Sequence, residues 1–343
     1  MSDASRSTDR RRRRLPEVSP LAVRRLSLLS LVCVSGIVLT GAAVRVTGSG
    51  LGCADWPDCF KGQVTPPLQF HSLIEFGNRM VTIFLVVVIG VTFLATLLRR
   101  PRRRDLIWLS GGLVAGVLME AVLGGILVYT KLNPYILIVH FLATLLLVVD
   151  AAVLLQRAGR TYGEGTGRLL VPEPMRLLSW GTALVATVVL AAGAATTGTA
   201  PDSGAAQGQE VAKRIPMSLR DMAELHATMA LFLIGLVVSL AVALHAVDVP
   251  ERVRKASRTL VAVLFFQGVV GYTQYFTHLP AALVELHDLG ATLLVIGMTQ
   301  LLLRLTHHPP ERVEDTLPAL PQDRGEGRRA APAATRAGAR TVT

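Results

Sequence analysis

The sequence is short of charge. Only 17% of its 343 residues are Asp, Glu, Lys or Arg, while 51% are hydrophobic, and the mean hydropathy is +0.48. That excludes an ordinary soluble domain, whose polar surface pulls the average below zero. Acidic residues are the scarcer sign, 24 against 35 Lys and Arg, giving a net charge of +11. The arginine run at residues 10–14 lacks interleaved aromatics and any nucleic-acid motif. The basic balance therefore points to anionic lipid headgroups and not to nucleic acid. No small-residue cleavage site follows the first apolar run, so that run is expected to stay as a membrane helix and not to be removed as a signal peptide.

What the chain has in quantity is apolar blocks. They fall near residues 26–44, 72–98, 106–130, 135–155, 177–200, 223–246, 259–277 and 281–304. Each approaches or exceeds the roughly twenty residues needed to cross a hydrocarbon core of about 30 Å. Arginines sort the segments between them. RRPRRRD follows the second block, Arg157, Arg160, Arg168 and Arg176 follow the fourth, ERVRKASR follows the sixth, and Arg304 closes the eighth. The alternate segments carry fewer cations. The positive-inside rule then puts both termini in the cytoplasm and the connections 1–2, 3–4, 5–6 and 7–8 outside. The expected class is an all-α polytopic protein of the plasma membrane.

The two halves repeat. LMEAVLGGILVYTKLNPYILIVHFLATLLLVV and FFQGVVGYTQYFTHLPAALVELHDLGATLLVI align without gaps, setting Glu120 on Gln267, Gly124 on Gly271 and His140 on His287. A weaker echo joins TGAAVRVTGSG to AAGAATTGTAPDSG. Four crossings per half make the repeat parallel, which predicts two tandem four-helix bundles related by a pseudo-twofold axis along the membrane normal. The expected organisation is a basic tail (1–25), a first bundle (26–156), a linker (157–176), a second bundle (177–305) and a disordered tail (306–343).

Four of the eight histidines, His71, His140, His226 and His287, stand near the outer ends of helices 2, 4, 6 and 8. One histidine on a membrane helix is usually a packing residue. Four in this arrangement suit ligation. No cysteine or carboxylate cluster accompanies them, so two facing imidazoles per half point to a heme in each and not to zinc.

Two further features carry polar groups. In the first outer connection, VRVTGSGLGCADWPDCFKGQVTPP, five residues separate Cys53 from Cys59. On the oxidising side of the membrane that pair forms a structural disulfide or a redox-active dithiol. Helix 2 then opens with HSLIEFGNRM, where His71, Glu75 and Asn78 fall at i, i+4 and i+7, one polar stripe about 10 Å long. Arg45 and Arg79, near the outer edge, either pair with heme propionates or snorkel to the interface.

TGSGLGCADWPDC followed by IEFGNR, in an eight-helix chain with these histidines, resembles the heme A synthase family over about residues 26–305. The resemblance implies an oxidoreductase that converts the C8 methyl group of heme O to the formyl group of heme A. Two hydroxylations would give a geminal diol that loses water. His226 and His287 would hold a heme b, and His140 would ligate the substrate's iron in the first half. Glu75 would be the carboxylate the reaction needs, taking a proton at the porphyrin edge. Many members have His where this chain has Asn78. An amide is a poor iron ligand, so His71, two turns outward, is expected to replace it, with Asn78 as a pocket residue; the alternative leaves that position open. Implied partners are heme O, the farnesyltransferase that makes it (heme O synthase) and cytochrome oxidase assembly; a homo-oligomer is compatible with the sequence.

Two other functions fit parts of the pattern. A di-heme, cytochrome b-like electron carrier would use the same histidines but needs neither Glu75 nor the cysteine loop. A transporter would want a polar midplane cluster or broken helices, which are missing.

Overall fold

A computed structural model describes residues 17–63, 65–159, 168–200 and 204–307. The arginine run at 10–14, Arg160 and the tail from residue 308 lie outside the described residues. The helices are α1 (Pro20–Val46), α2 (Phe70–Leu98), α3 (Arg104–Tyr129), α4 (Pro134–Ala158), α5 (Glu173–Thr199), α6 (Leu219–Ala246), α7 (Glu251–Phe276) and α8 (Ala281–Arg304). All eight are long and apolar enough to cross a membrane. Even α8, with 24 residues, is about 36 Å long, more than the hydrocarbon core requires. Many large apolar side chains face outward, among them Trp108 (80% exposed) and Phe265 (72%). Lipid, not water, is the solvent that suits such a surface.

Capping explains several helix starts. Ser19, Asn133 and Ser218 each accept a backbone N–H of the first turn, and Pro20 and Pro134 occupy the position where no N–H is needed. Two starts differ most from those expected. Helix α1 begins at Pro20, so residues 20–25 are helical and not part of a tail. Helix α7 begins at Glu251, eight residues before its apolar block, because Glu251 pairs with Arg254 and Arg258 along an exposed helical turn. Thr306–His307, expected as disordered tail, pair antiparallel with Arg168–Leu169 of the linker in a two-residue β1–β2 ladder.

Helix α1 packs on α2 and α4, and α3 on the same two. In the second half α6 packs on α5 and α7, and α7 on α8, while α5 and α8 barely meet. Across the halves, α4 touches α5 and α8, and α1 touches α8. Apolar residues gather in two cores, one around Val34, Leu113 and Val148, the other around Leu233, Leu240 and Leu260. The turns ending α3 and α7 are matched. Lys131 and Leu132 (φ 55° and 57°) correspond in the repeat to His278 and Leu279 (φ 63° and 59°). Both turns are closed by the same set of backbone bonds, Leu132 N–H to Leu127 O and Leu279 N–H to Gln274 O among them.

Candidate functional site

In the second half, His226 is the eighth residue of α6 and His287 the seventh of α8. Their ring centroids are 6.3 Å apart with planes at 82°. Two metal–nitrogen bonds of about 2 Å and two ring radii of about 1 Å fill such a span, so the pair has room for one metal ion between the rings. Small residues set the rings in place. A Cβ on Gly193 would lie 3.0 Å from His226 Cε1, and one on Gly271 would lie 3.1 Å from His287 Cε1. His226 Nδ1 meets the Val189 carbonyl at 3.1 Å, which leaves Nε2 as the nitrogen free for another partner. His287 Nδ1 is buried without a hydrogen-bond partner. Among the described residues no three His, Cys, Asp or Glu side chains converge on a metal-sized space, so the donor set is these two imidazoles.

In the first half, His140 is the seventh residue of α4, as His287 is of α8. Its Nδ1 lies 2.6 Å from Glu120 Oε2, and a Cβ on Gly124 would sit 3.9 Å from its Cε1. The matched Gln267 behaves differently, donating to the His287 backbone carbonyl at 3.1 Å. A carboxylate thus lies against the ring in one half, while an amide donates to the main chain in the other.

The opening stripe of α2 is dispersed among three partners. His71, only the second residue of α2, sets its Nδ1 3.1 Å from the Ser49 hydroxyl. Asn78, the ninth, is nearest in helical position to His226 of α6, and its Oδ1 accepts the Thr40 hydroxyl at 2.7 Å. Beside Thr40, a Cβ on Gly41 would meet nothing within 4 Å, whereas one on its counterpart Gly193 would touch an imidazole. Gly41 is exposed, so the contact that Gly193 makes with the His226 ring has no equivalent at this position of the first half.

Glu75 is 6% exposed and fully engaged. Its Oε2 accepts the Cys53 backbone N–H at 2.7 Å, and its Oε1 accepts Arg79 at 2.6 Å. Arg79, expected either to pair with a propionate or to snorkel, donates to the carbonyls of Asp55, Pro57 and Asp58 at 3.0, 3.2 and 2.8 Å. Its position one turn after Glu75 aims it at the loop. Cys53 and Cys59 are joined in a disulfide, both essentially buried. Ser72 donates to Gly52 O at 2.7 Å, and Tyr129 to Trp56 O at 2.6 Å. The Trp56 ring lies where a Cβ on Gly125 would come within 2.9 Å. Gly52 passes so close to the His71 carbonyl that a Cβ would lie 2.3 Å from it. The loop is thereby fixed on α2 and α3.

Arg45, at the end of α1, reaches into the other half. It meets Asp288 at 3.3 Å and the Thr197 hydroxyl at 3.4 Å. Asp288 directly follows His287, a neighbour that sequence reasoning passed over. Arg214 was also missed. It donates to the carbonyls of Thr197 and Ala200 at 2.7 and 3.2 Å, while its Nη1 is buried without a partner. Burial, and then the nearby Arg45 charge, lower its pKa. A half-buried, incompletely paired guanidinium next to a second one suits an anionic group.

The COX15-CtaA family, described as cytochrome oxidase assembly protein, matches residues 24–73 and 68–299. A heme A synthase of Staphylococcus saprophyticus is 27% identical over 281 residues, 78% of this chain and 91% of that protein. Heme A synthases of Geobacillus thermodenitrificans and Geobacillus kaustophilus are 33% and 34% identical over 138 and 123 residues, or 38% and 35% of this chain. The match spans 42% and 38% of those two proteins' own length. Because the family pattern runs from residue 24 to residue 299, through the loop, α2 and the histidines of both halves, the chain belongs to the COX15-CtaA family of cytochrome oxidase assembly proteins.

Proposed function

We propose that the chain is a heme A synthase, oxidising the C8 methyl group of heme O to a formyl group and so supplying heme A for cytochrome oxidase. The observation that carries this reading is a match covering 91% of a protein named heme A synthase. The geometry that suits it best is the His226–His287 pair, 6.3 Å between ring centroids and seated against two glycines. A bound heme b there would supply electron transfer, and His226 and His287 are the residues that would hold its iron. The proposed layout is two tandem bundles, residues 26–156 and 177–305, about a pseudo-twofold axis. The matched turns at Lys131–Leu132 and His278–Leu279 support it. Both termini are cytoplasmic in this reading, in the plasma membrane, because the arginine-rich connections share their side.

Heme O is the substrate of the first bundle. His140 holds its iron, with Glu120 fixing the ring through Nδ1 so that Nε2 faces the porphyrin. His71 is the proposed second ligand, since Ser49 engages its Nδ1 and leaves Nε2 free, whereas the Asn78 oxygen is committed to Thr40. Glu75 takes up protons as the methyl carbon is oxidised. Its two partners are both donors, which hold it as an ionised carboxylate, and a proton it takes up would displace one of them. Arg45, with Arg214, faces the propionates. The Cys53–Cys59 bridge holds the Glu75 carboxylate at the loop through the Cys53 N–H, a structural role; a redox role would require it to cycle. Heme O synthase is the upstream partner.

The test is to purify the protein and extract its porphyrins. Heme b together with heme O or heme A supports the synthase. Heme b alone would assign the chain as an electron carrier, and absence of heme from a folded preparation would overturn both readings.

A further inference from the structure

A cleft of about 950 Å³ lies between the two halves, walled by α4, α5 and α8. It exists because α5 and α8 barely meet while α4 packs against both. The volume is at the upper end for a small-molecule site. Its walls are three helical stripes, represented by Leu146 and Val149 on α4, Ala183 and Thr187 on α5, and Leu294 and Met298 on α8. Leu146 (64% exposed) and Trp180 (57% exposed) stand at its rim, so the cleft opens sideways toward lipid.

One end differs from the rest. Where α4 ends and α5 begins, Arg103, Arg157 and Arg176 line the cleft with a single acidic residue, Asp105. Asp105 is taken by Arg103 and meets Arg157 only at 3.8 Å. Arg176 pairs with Glu173, and both side chains stay about half exposed, 41% and 51%. The excess charge at this end is positive. From Leu142 to Arg157 the α4 stripe rises through fifteen residue steps, about 22 Å, enough to span the roughly 15 Å hydrocarbon depth of one leaflet. Arg157 is seventeen residues, about 25 Å, further along α4 than His140. His140 turns instead to Glu120 and Gly124 on α3. The charged end of the cleft is therefore remote from His140 along α4.

We propose that this cleft binds one anionic glycerophospholipid, its phosphate at Arg157 and Arg176 and an acyl chain along the α4, α5 and α8 stripes. A chain-length apolar slot ending in cations matches that molecule. The positive excess at this end favours a lipid of net negative charge, since a neutral isoprenoid or a zwitterionic lipid would leave that excess uncompensated. Lipid held there fills the space between the halves and couples them at the end opposite the histidines.

Native mass spectrometry of the full chain tests this, with phosphatidylglycerol titrated against phosphatidylcholine. The wild type is expected to retain one phosphatidylglycerol preferentially. The pair Arg157→Gln and Arg176→Gln should lower that preference about tenfold, while Arg157→Lys with Arg176→Lys keeps most of it. As a control, Arg254→Gln with Arg258→Gln removes two cations from the same end of the molecule but outside the cleft. Equal loss in control and cleft variants, or no preference in the wild type, would overturn the proposal in favour of general surface charge. So would retention of a neutral isoprenoid in place of phospholipid. Thr187→Leu, which narrows the apolar wall and leaves the arginines alone, should also weaken retention; unchanged binding would remove the chain from the cleft.

Discussion

Replacing Glu75 with alanine separates its two jobs. In the folded chain its oxygens accept the Cys53 N–H and Arg79 at 2.7 and 2.6 Å in a site 6% exposed. Alanine leaves the Cys53 N–H buried without an acceptor, a loss of about 1–3 kcal/mol. Arg79 keeps three carbonyl acceptors, so its share lies at the low end of that range. The sum is about 3 kcal/mol, spent on the loop and not on the bundle, because the disulfide and the Ser72–Gly52 and Tyr129–Trp56 bonds remain. A change of that size corresponds to roughly hundredfold faster local opening of the Cys53 amide. Glu75→Gln, with one acceptor oxygen left, should show about half the energetic effect. Hydrogen exchange across residues 50–60 measures the loop, and porphyrin extraction measures the product. Heme b should stay bound, because its proposed ligands are in the other half, while heme A stops accumulating. Normal heme A yield in Glu75→Ala would remove Glu75 from the reaction. Unchanged Cys53 protection would show that the loop does not depend on it.

Three further outcomes are expected. His226→Ala or His287→Ala should each abolish the heme b absorbance of the purified protein; full occupancy in both would end the second-half assignment. Gly193→Ala and Gly271→Ala place a methyl 3.0 and 3.1 Å from imidazole carbons. They should displace the rings at a cost of about 1–3 kcal/mol and lower heme b content, whereas Gly41→Ala, in open space, should not. Equal behaviour of all three in a heme assay would contradict the ring contacts. His71→Ala should reduce first-half heme occupancy and Asn78→Ala should leave it intact; the reverse result, read from heme-to-protein ratios, would transfer the α2 role to Asn78.

How far the sequence could be read depended on the kind of signal. Hydropathy found all eight helices, because burial in lipid demands an unbroken apolar run. It placed the α7 start eight residues late, because the Glu251, Arg254 and Arg258 turn is helical but not apolar. The repeat put His140 and His287 at the same helical position, and the fold keeps them there. The stripe His71, Glu75 and Asn78 was legible as one face of a helix. Its partners were not, since Ser49, Cys53 and Thr40 come from a loop and from α1. Arg79 illustrates the same limit. Its depth near the outer edge could be read, while its hold on three loop carbonyls follows from how the 53–59 loop folds back.

By itself the sequence determined the class of molecule, the number and rough limits of its spans, the duplication, the family and the set of histidines. Each of these rests on composition or on spacing along one chain. Only the tertiary structure decided which groups meet. It drew the His226 and His287 rings to 6.3 Å, committed Glu75 to the Cys53 amide, joined Arg45 to Asp288 across the halves, and left a cleft where α5 and α8 fail to close. Those pairings are set by helix packing and loop return. Both bring together residues far apart along the chain, and no local pattern records the distance between them.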